Sequence, residues 1–263
     1  METREMVAYL NNKGIETEVR NKKKNGIIIE GVVVKGSNNI NPVIYPENFT
    51  RDSLEEFIRK FDTLSKDGGL FDAKEVVMVK NVLENTDSFK EKLRLGFSKE
   101  NGEEAITRAS MFPHIDEYLF ISVRDYSVNV TEQLLSATGI TKEEAFLIAE
   151  RNTVEIAAVL NMSEVLESYG ISGIDALPVW VVTTEDKFKG AAAIKAKDKI
   201  KAAMPAKCSE VYVLPSSIHE TIVIPKTADL DIKSLTEMVK NVNKSEVLPE
   251  EQLGDEAFVY KIA

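Results

Sequence analysis

The sequence is poor in the residues that build disulfide scaffolds and metal centres. Its 263 residues include one cysteine, Cys208, and two histidines, His114 and His219. A single cysteine excludes a disulfide framework and a cysteine-based zinc site, and two histidines cannot supply a three-histidine site. No spacing assembles carboxylates around His219, and neither a Gly-x-Gly-x-x-Gly fingerprint nor a Walker loop occurs. The sequence therefore predicts no metal and no cofactor.

Long apolar runs and an excess of basic charge are also missing. No stretch of about 18 apolar residues and no basic-then-apolar N-terminus is present, which excludes a transmembrane helix and a signal peptide. The chain has 33 basic and 43 acidic side chains, a net charge of −10. Nucleic-acid-binding domains usually carry a concentrated basic surface. We expect a cytoplasmic, acidic, globular protein with no membrane partner, and nucleic acid is not favoured as a partner.

The acidic charge is unevenly distributed along the chain. Residues 118–177 hold 3 basic and 9 acidic groups, whereas 1–45 and 178–225 each hold 7 basic and 5 acidic groups. The basic run 20–24 is interpreted as a solvated hairpin tip. The lysines of 178–225 are interpreted as solubilising surface charges. The charge of −6 over 118–177 predicts a surface for a protein partner.

The N-terminal pattern predicts an α-β-β-β-α module over residues 1–71. Asn25-Gly26 is a strong hairpin signal because both residues tolerate positive φ. Asp52 or Ser53 is the predicted cap of the second helix, and Ser53 with Glu56 makes a capping box. Its apolar stripe comprises Leu54, Phe57, Ile58, Phe61 and Leu64.

Residues 72–117 form a poorly assigned connecting region, and 118–263 form a larger α+β domain. In the connecting region, β-branched residues leave helix and strand open, and a helix is expected from Asp87 or Ser88 to Leu95. Further on, the pattern predicts a strand over 118–124, a helix capped by Thr141, one helix over 190–203, and a final edge strand over 257–262. A helix over 232–242 places Leu235, Met238 and Val239 inward. The fold class predicted is α+β with mixed, largely antiparallel sheets and packed helices.

The segment 215–220 carries the best candidates for chemistry. If the chain is extended from Ser217 onward, Ser217 and His219 point to one face, and a hydroxyl beside an imidazole is the minimum for an activated nucleophile. Glu220 would then lie on the opposite face. The candidate catalytic residues are therefore Ser217, His219 and Glu220. The structural alternative is that the serines satisfy turn amides and His219 anchors a strand.

The same segment carries a family resemblance. The run 210–225, with Leu-Pro-Ser-Ser-Ile-His-Glu at 214–220, resembles the hallmark of an uncharacterised bacterial family of gut anaerobes, a domain of unknown function. Segments 39–45, 139–153 and 238–247 also match. The resemblance implies a complete, cytoplasmic member with no known activity, cofactor or catalytic residue. It marks Ser217, His219 and Glu220 as positions typical of the family.

Three hypotheses about function stay open. The first is a non-enzymatic protein-interaction module, linked to mobile elements or phage, that binds another protein through 118–177. The second is an undiscovered hydrolase or nuclease-like enzyme centred on Ser217 and His219, with a carboxylate close to the imidazole. The third is RNA binding by the N-terminal module, whose element order is like that of double-stranded-RNA-binding domains.

Overall fold

The computed structural model describes residues 1–35, 41, 43–56, 58, 73–124, 126–171, 178–227 and 230–263. By its internal contacts the chain divides into two compact units. The first unit comprises residues 1–24 and 28–88, and the second comprises 25–27 and 89–263. The boundary after residue 88 lies inside the predicted connecting region. The domain limits 1–71, 72–117 and 118–263 stay predictions.

The first unit has the α-β-β-β-α order that the sequence predicts. Helix α1 (Thr3–Asn12) is followed by the antiparallel strands β1 (Thr17–Lys24), β2 (Ile27–Val34) and β3 (Val43–Ile44), and then by helix α2, helical over 51–56. Residues on one face of α1 and alternate residues of β2 pack together in a small hydrophobic core. Its buried members are Met6, Leu10, Ile15, Val32, Val34, Leu54 and Ile58. Helix α3 (Ala73–Glu84) also belongs to this unit.

The start of α2 lies earlier than the sequence analysis placed it. The Thr50 hydroxyl accepts from the Ser53 amide at 3.2 Å, and the Ser53 hydroxyl accepts from the Thr50 amide at 2.9 Å. This reciprocal pair is a capping box with Thr50 as the cap, so the predicted caps Asp52 and Ser53 were wrong. The predicted stripe members Phe57, Phe61 and Leu64 lie outside the described residues.

The second unit contains a four-stranded antiparallel sheet built on β6 (Ile115–Val123). Strand β4 (Leu93–Lys99) pairs with one edge of β6, and β5 (Thr107–Ala109) and β7 (Tyr126–Asn129) pair with the other. Nearly all of β6 is buried, as expected for a central strand. Helix α4 (Thr86–Lys92) precedes the sheet, and α5 (Glu132–Thr138) and α6 (Lys142–Glu155) follow it. Thr141 caps α6 as predicted, accepting from the Glu144 amide at 3.2 Å.

A second, five-stranded antiparallel sheet completes this unit in the order β12-β10-β11-β9-β8. The strands are β8 (Ala157–Asn161), β9 (Trp180–Thr184), β10 (Glu210–Leu214), β11 (Thr221–Pro225) and β12 (Phe258–Lys261). Helix α7 (Met162–Ser168) follows β8, and a buried 3₁₀ segment (Gly190–Lys195) leads into α8 (Lys197–Ala203). Helix α9 (Ile232–Ser245) packs Leu235 and Val239 on the sheet. As predicted, the C-terminal strand is an edge strand.

The predicted α+β class with antiparallel sheets is confirmed, and three local predictions need correction. The helix expected through Leu95 ends at Lys92, where β4 begins. The helix expected over 190–203 is a 3₁₀ segment followed by a short α-helix. Met238 is 53% exposed rather than inward, because it lies at the border of the buried stripe of α9. Strand β8 and helix α7 were not predicted at all. None of the described helices is long and apolar enough to cross a membrane.

Candidate functional site

The segment 215–220 forms a turn between β10 and β11 rather than an extension of a strand. The Ile218 amide donates to the Glu251 carbonyl at 2.9 Å, and the Leu253 amide donates to the Ser216 carbonyl at 3.0 Å. The turn therefore lies along residues 251–254, which fix its backbone. The extended geometry that would place Ser217 and His219 on one face is not adopted.

Ser217 is withdrawn from solvent and its hydroxyl serves the turn. The side chain accepts a hydrogen bond from the His219 amide at 3.0 Å, the pattern of a serine turn. The hydroxyl also hydrogen-bonds to the Glu220 carboxyl. Only 5% of the residue is exposed. The side chains of Ser217 and Glu220 are thus close together. The Ser217 hydroxyl contacts His219 through the backbone amide of the histidine and not through its ring.

His219 is fixed by both its backbone and its ring. The Thr183 hydroxyl donates to the His219 carbonyl at 2.8 Å, and the Lys189 amide donates to Nδ1 at 3.3 Å. Nε2 lies 3.5 Å from the Glu251 carboxylate, and the ring centroid is 5.9 Å from that of Phe188. Because Nδ1 accepts a hydrogen bond, the hydrogen-bond network assigns the ring proton to Nε2, facing Glu251.

The carboxyl of Glu220, in the same turn, has a raised pKa. Burial raises the pKa of its carboxyl above the ordinary value, and the nearby Glu251 carboxylate raises it further. His219 and the hydrogen bond from Ser217 oppose this shift but do not cancel it. Removing a carboxylate from water penalises its charged form, which is why the burial effect dominates. The turn therefore presents a half-buried carboxyl that holds its proton more tightly than usual.

The arrangement can store and exchange protons, but it differs from a serine–histidine dyad. Such a dyad needs the hydroxyl to donate to an unprotonated ring nitrogen. Here Nδ1 of His219 accepts from a backbone amide, and the Ser217 hydroxyl is bound to Glu220. Across the described ranges, no group of three or more histidine, cysteine, aspartate or glutamate side chains is placed to hold a metal ion.

The partners that surround His219 have no signal in the sequence. Glu251 and the loop 186–189 are 32 and about 30 positions away along the chain, and no spacing rule connects them to the histidine. Within the loop, Lys187 and Lys189 have φ of 55° and 50°, a left-handed conformation that is uncommon for residues with a Cβ. The Lys189 ammonium lies 5.4, 5.0 and 5.5 Å from the ring centroids of Tyr118, Phe120 and Phe188.

Four lysines of 178–225 make contacts within the second unit, and two of them, Lys189 and Lys195, are partly buried. Lys189 lies among aromatic rings, and Lys195 is bound by Glu117 and Glu150 at 2.5 and 2.8 Å. Lys199 donates to the carbonyls of Glu155 and Ala157, and Lys197 lies 4.8 Å from the Tyr260 ring centroid. The interpretation as solubilising charges was wrong for Lys195, which is largely buried in an ion-pair network, and Lys189 is partly buried among rings, whereas Lys197 and Lys199 are exposed as expected.

The acidic charge of 118–177 is partly neutralised where the structure describes it. Glu144 pairs with Lys90 at 2.9 Å, and Glu150 pairs with Arg108 and Lys195. The remaining described carboxylates are exposed and make no salt bridge with any described residue: Glu132, Glu143, Glu155, Glu164 and Glu167. Three of them lie in the first turns of α5, α6 and α7, where they also stabilise the helix dipole.

Exposed apolar side chains occur beside these carboxylates. Tyr169, directly after α7, is 75% exposed, the highest value among the described large hydrophobic side chains, and Ile171 is 49% exposed. Gly170, with φ of 81°, donates to the Glu167 carbonyl, and the Ile171 amide donates to the Leu166 carbonyl. These two bonds form a Schellman motif, which fixes the backbone of the exposed pair.

Comparison with known proteins gives one match. The model of a family of unknown function, DUF5688, matches residues 118–262, more than half of the chain. The matched range includes the turn 215–220, Glu251 and the loop 186–189. No curated protein and no solved structure matches the chain.

Proposed function

Since the chain belongs to the family of unknown function DUF5688, we propose its role from its own surface: it is a non-enzymatic module that binds another protein through the 118–177 region. The observation that carries the proposal is Tyr169, exposed by 75% and followed by the exposed Ile171 on a backbone fixed by a Schellman motif. Tyrosine is enriched among the residues that dominate binding energy at protein interfaces.

The charge around this turn indicates the chemistry of the partner. Glu164 and Glu167 are three positions apart on α7, so they lie on neighbouring positions of the helix surface, and both are exposed. Neither makes a salt bridge with the described residues. We infer a partner with a basic surface and an apolar recess that receives the tyrosine ring. Complementary charge at the rim of an interface mainly accelerates association and sets specificity.

Site-specific photo-crosslinking in the native host identifies the partner. A photoreactive amino acid at position 169 should capture a protein that the same group at position 28 does not capture. Ile28 is the matched control, because it is 70% exposed and lies in the first unit. Capture at both positions, or at neither, would contradict binding through this surface.

The captured protein then allows a quantitative test with purified components. Tyr169→Ala should weaken binding by about 30-fold or more, as for an interface hot spot, while Ile28→Ala leaves the dissociation constant unchanged. Glu164→Lys with Glu167→Lys should slow association and reduce its dependence on salt. If Tyr169→Ala binds as tightly as the wild type, the proposed surface is wrong.

Hydrolysis at Ser217 and His219 is the second candidate, and one observation favours it. The raised pKa of Glu220, with Ser217 and His219 beside it, is typical of acid–base sites. The hydrogen bonds made by Nδ1 and by the Ser217 hydroxyl speak against hydrolysis, because each group is bound to another partner and the two are not bound to each other. Hydrolysis of p-nitrophenyl acetate and of bis(p-nitrophenyl) phosphate tests it: turnover lost in both Ser217→Ala and His219→Ala would favour an enzyme over a binding module.

RNA binding through the first unit has weaker support. In the basic run 20–24, Arg20 pairs with Glu18 at 2.8 Å, and the Lys24 ammonium lies 5.7 Å from the Tyr45 ring centroid. On α2, Glu55 is bound by the Tyr9 hydroxyl near the end where phosphate would be expected. A mobility shift with double-stranded RNA at low ionic strength that vanishes on adding salt would support this candidate.

A further inference from the structure

The loop 186–189 is held in an unfavourable backbone conformation by a small set of contacts. Left-handed φ at Lys187 and at Lys189 costs about 1–2 kcal/mol for each non-glycine residue. The Asp186 carboxylate accepts from the Thr184 hydroxyl of β9 at 2.6 Å and from the Phe188 amide at 3.2 Å, and the Lys187 amide donates to the Thr184 carbonyl at 2.9 Å. From outside the loop, the Lys189 amide donates to Nδ1 of His219. The loop thus depends in part on an imidazole lone pair.

That lone pair exists only in the neutral histidine. Protonated imidazole carries N–H groups at both nitrogens and accepts no hydrogen bond. Histidine is the side chain that changes charge between pH 5 and 8. When the ring is protonated, Nδ1–H faces the Lys189 N–H, and two donors cannot bond. This contact between the loop and His219 is therefore available in one protonation state only.

The backbone of His219 is held by hydrogen bonds, and the second nitrogen of its ring faces a carboxylate. The His219 amide is bound to the Ser217 hydroxyl and its carbonyl to the Thr183 hydroxyl, so the backbone is fixed on both sides. On the other edge of the ring, the Glu251 carboxylate attracts an imidazolium more strongly than a neutral imidazole. Protonation thus strengthens the contact with Glu251 while it removes the contact with Lys189.

Charged groups lie on each of the segments packed against the ring. These are Glu251 from the 250–252 segment, Glu220 beside the histidine, and Asp186, Lys187 and Lys189 from the loop. The Lys189 ammonium is directed to the rings of Tyr118, Phe120 and Phe188, while two carboxylates lie near the imidazole.

We propose that His219 is a proton-sensitive tether: the neutral ring holds the loop 186–189 against the turn 215–220, and the protonated ring releases it. Release withdraws the Lys189 ammonium from the aromatic rings and Phe188 from the imidazole. Phe188, already 38% exposed, then becomes more accessible together with Phe120. Acidification therefore converts a closed aromatic surface into an open one without unfolding either sheet.

Amide hydrogen exchange by NMR on the full chain tests the tether. The protection factor of the Lys189 amide should fall by about fivefold or more between pH 7.5 and pH 5.5, the loss expected for one hydrogen bond. The aromatic resonances of Phe188 should shift with the same midpoint as the His219 ring. Amides of the central strand β6 should keep their protection, which separates loop release from unfolding.

Three variants make the test specific. His219→Asn places a carbonyl oxygen near the position of Nδ1 but does not titrate, so its loop should stay protected at both pH values. His219→Ala should lack protection at both. His114→Asn removes the other histidine, which is exposed and far along the chain, and should leave the transition unchanged. Fluorescence of the single tryptophan, Trp180, and circular dichroism establish that each variant is folded.

The proposal makes opposite predictions for the wild type and for His219→Asn. If the wild-type Lys189 amide is equally protected at both pH values, the tether does not open. If folded His219→Asn loses protection on acidification as the wild type does, another group controls the loop. Glu251→Gln gives an independent measurement: with less negative charge beside the ring, the transition should move to lower pH, and an unchanged midpoint would overturn the role of Glu251.

Discussion

Lys195 and Glu117 form an ion pair inside the second unit, with Nζ and Oε1 2.5 Å apart and side-chain exposures of 12% and 3%. The other carboxylate oxygen of Glu117 accepts from Nε of Arg108 at 2.6 Å. Glu150 binds the same two cations, at 2.8 Å from Lys195 and 3.3 Å from Arg108. Two anions and two cations thus close a ring that links β5, β6, α6 and the 3₁₀ segment.

Removing Glu117 should destabilise the protein strongly. Glu117→Ala leaves Lys195 largely buried without its closest anion, and breaking a buried pair on one side costs about 3–5 kcal/mol. Urea denaturation followed by circular dichroism measures the free energy of unfolding. Glu143→Ala is the control, because Glu143 is exposed on α6 and its removal should cost at most about 1 kcal/mol through the helix dipole.

Exchanging both members of the pair separates charge from packing. Glu117→Leu combined with Lys195→Met removes both charges and keeps the volume, so it should be less destabilising than Glu117→Ala. A double variant at least as unstable as the single one would show that the ion pair contributes net stability. A single variant no less stable than Glu143→Ala would contradict the importance of the ring.

Asn25 should be one of the most sensitive positions of the second unit. It is fully buried with φ of 47°, and its side chain accepts from the Lys99 amide at 2.7 Å and donates to the Gln252 carbonyl at 2.7 Å. Asn25→Ala loses both bonds and forces alanine into a left-handed conformation. We expect a loss of about 2–4 kcal/mol in the free energy of unfolding.

Asn25→Gly isolates the hydrogen bonds from the backbone conformation, since glycine adopts positive φ without strain. It should recover about 1 kcal/mol relative to Asn25→Ala. Equal stability of the two variants would show that the left-handed conformation carries no cost at this position. Wild-type stability of Asn25→Gly would contradict the role of the two hydrogen bonds.

The sequence predicted the elements whose signals are local. The cap at Thr141 and the hairpin at Asn25-Gly26 follow from residue types within a few positions, and both are present. Strand β8 escaped prediction because Ala157–Asn161 shows no alternation of apolar and polar residues. The start of α2 was misplaced by two or three residues because Asp52 and Ser53 are also good cap residues and Ser53 with Glu56 fits the capping-box pattern, whereas the structure uses Thr50.

The site could be predicted only in part, for a physical reason. Its central turn was recognised through Ser217, His219 and Glu220, which are adjacent in sequence. Their partners Lys189 and Glu251 arrive from distant segments through the folding of the sheet. The same holds for Lys195, whose anion Glu117 is 78 positions away. Tertiary pairing of this kind has no periodic signature in a single sequence.

Gly190 should tolerate no side chain. A Cβ at this position would lie 2.5 Å from the Thr183 hydroxyl oxygen and 2.8 Å from the His219 carbonyl oxygen. Overpacking of a well-packed interior costs about 1–3 kcal/mol, so Gly190→Ala should lower the midpoint of thermal unfolding by several degrees. The substitution should also weaken the hydrogen bond from the Thr183 hydroxyl to the His219 carbonyl, which NMR chemical shifts at His219 would detect.

Gly139→Ala is the matched control, because a Cβ there meets no atom within 4 Å although φ is 72°. Its cost is limited to backbone strain of about 1 kcal/mol. Comparable stability of the two variants would contradict close packing at Gly190. A larger loss for Gly139→Ala would reverse the prediction altogether.

The raised pKa of Glu220 makes stability fall as pH rises. Because burial lifts the folded-state pKa above the ordinary value of 4.5, the folded protein binds more protons than the unfolded chain between these two values. The contribution of Glu220 is therefore complete below pH 4.5 and is lost as pH rises through its folded-state pKa. Glu220→Gln removes this loss while keeping an acceptor for Ser217. Relative to the wild type, its stability should increase from about pH 4 to pH 7.

Glu210, in β10, should show the opposite dependence of stability on pH. The hydrogen bond and charge of Lys226 lower the pKa of Glu210, so its contribution is present above the ordinary pKa and is lost as pH falls. Glu210→Gln should therefore become relatively less stable than the wild type as pH rises from below the folded-state pKa of Glu210 to its ordinary value of 4.5, with little further change above that value. Urea denaturation at intervals of half a pH unit compares the two slopes. Parallel slopes for Glu220→Gln and Glu210→Gln would show that burial does not control the protonation of Glu220.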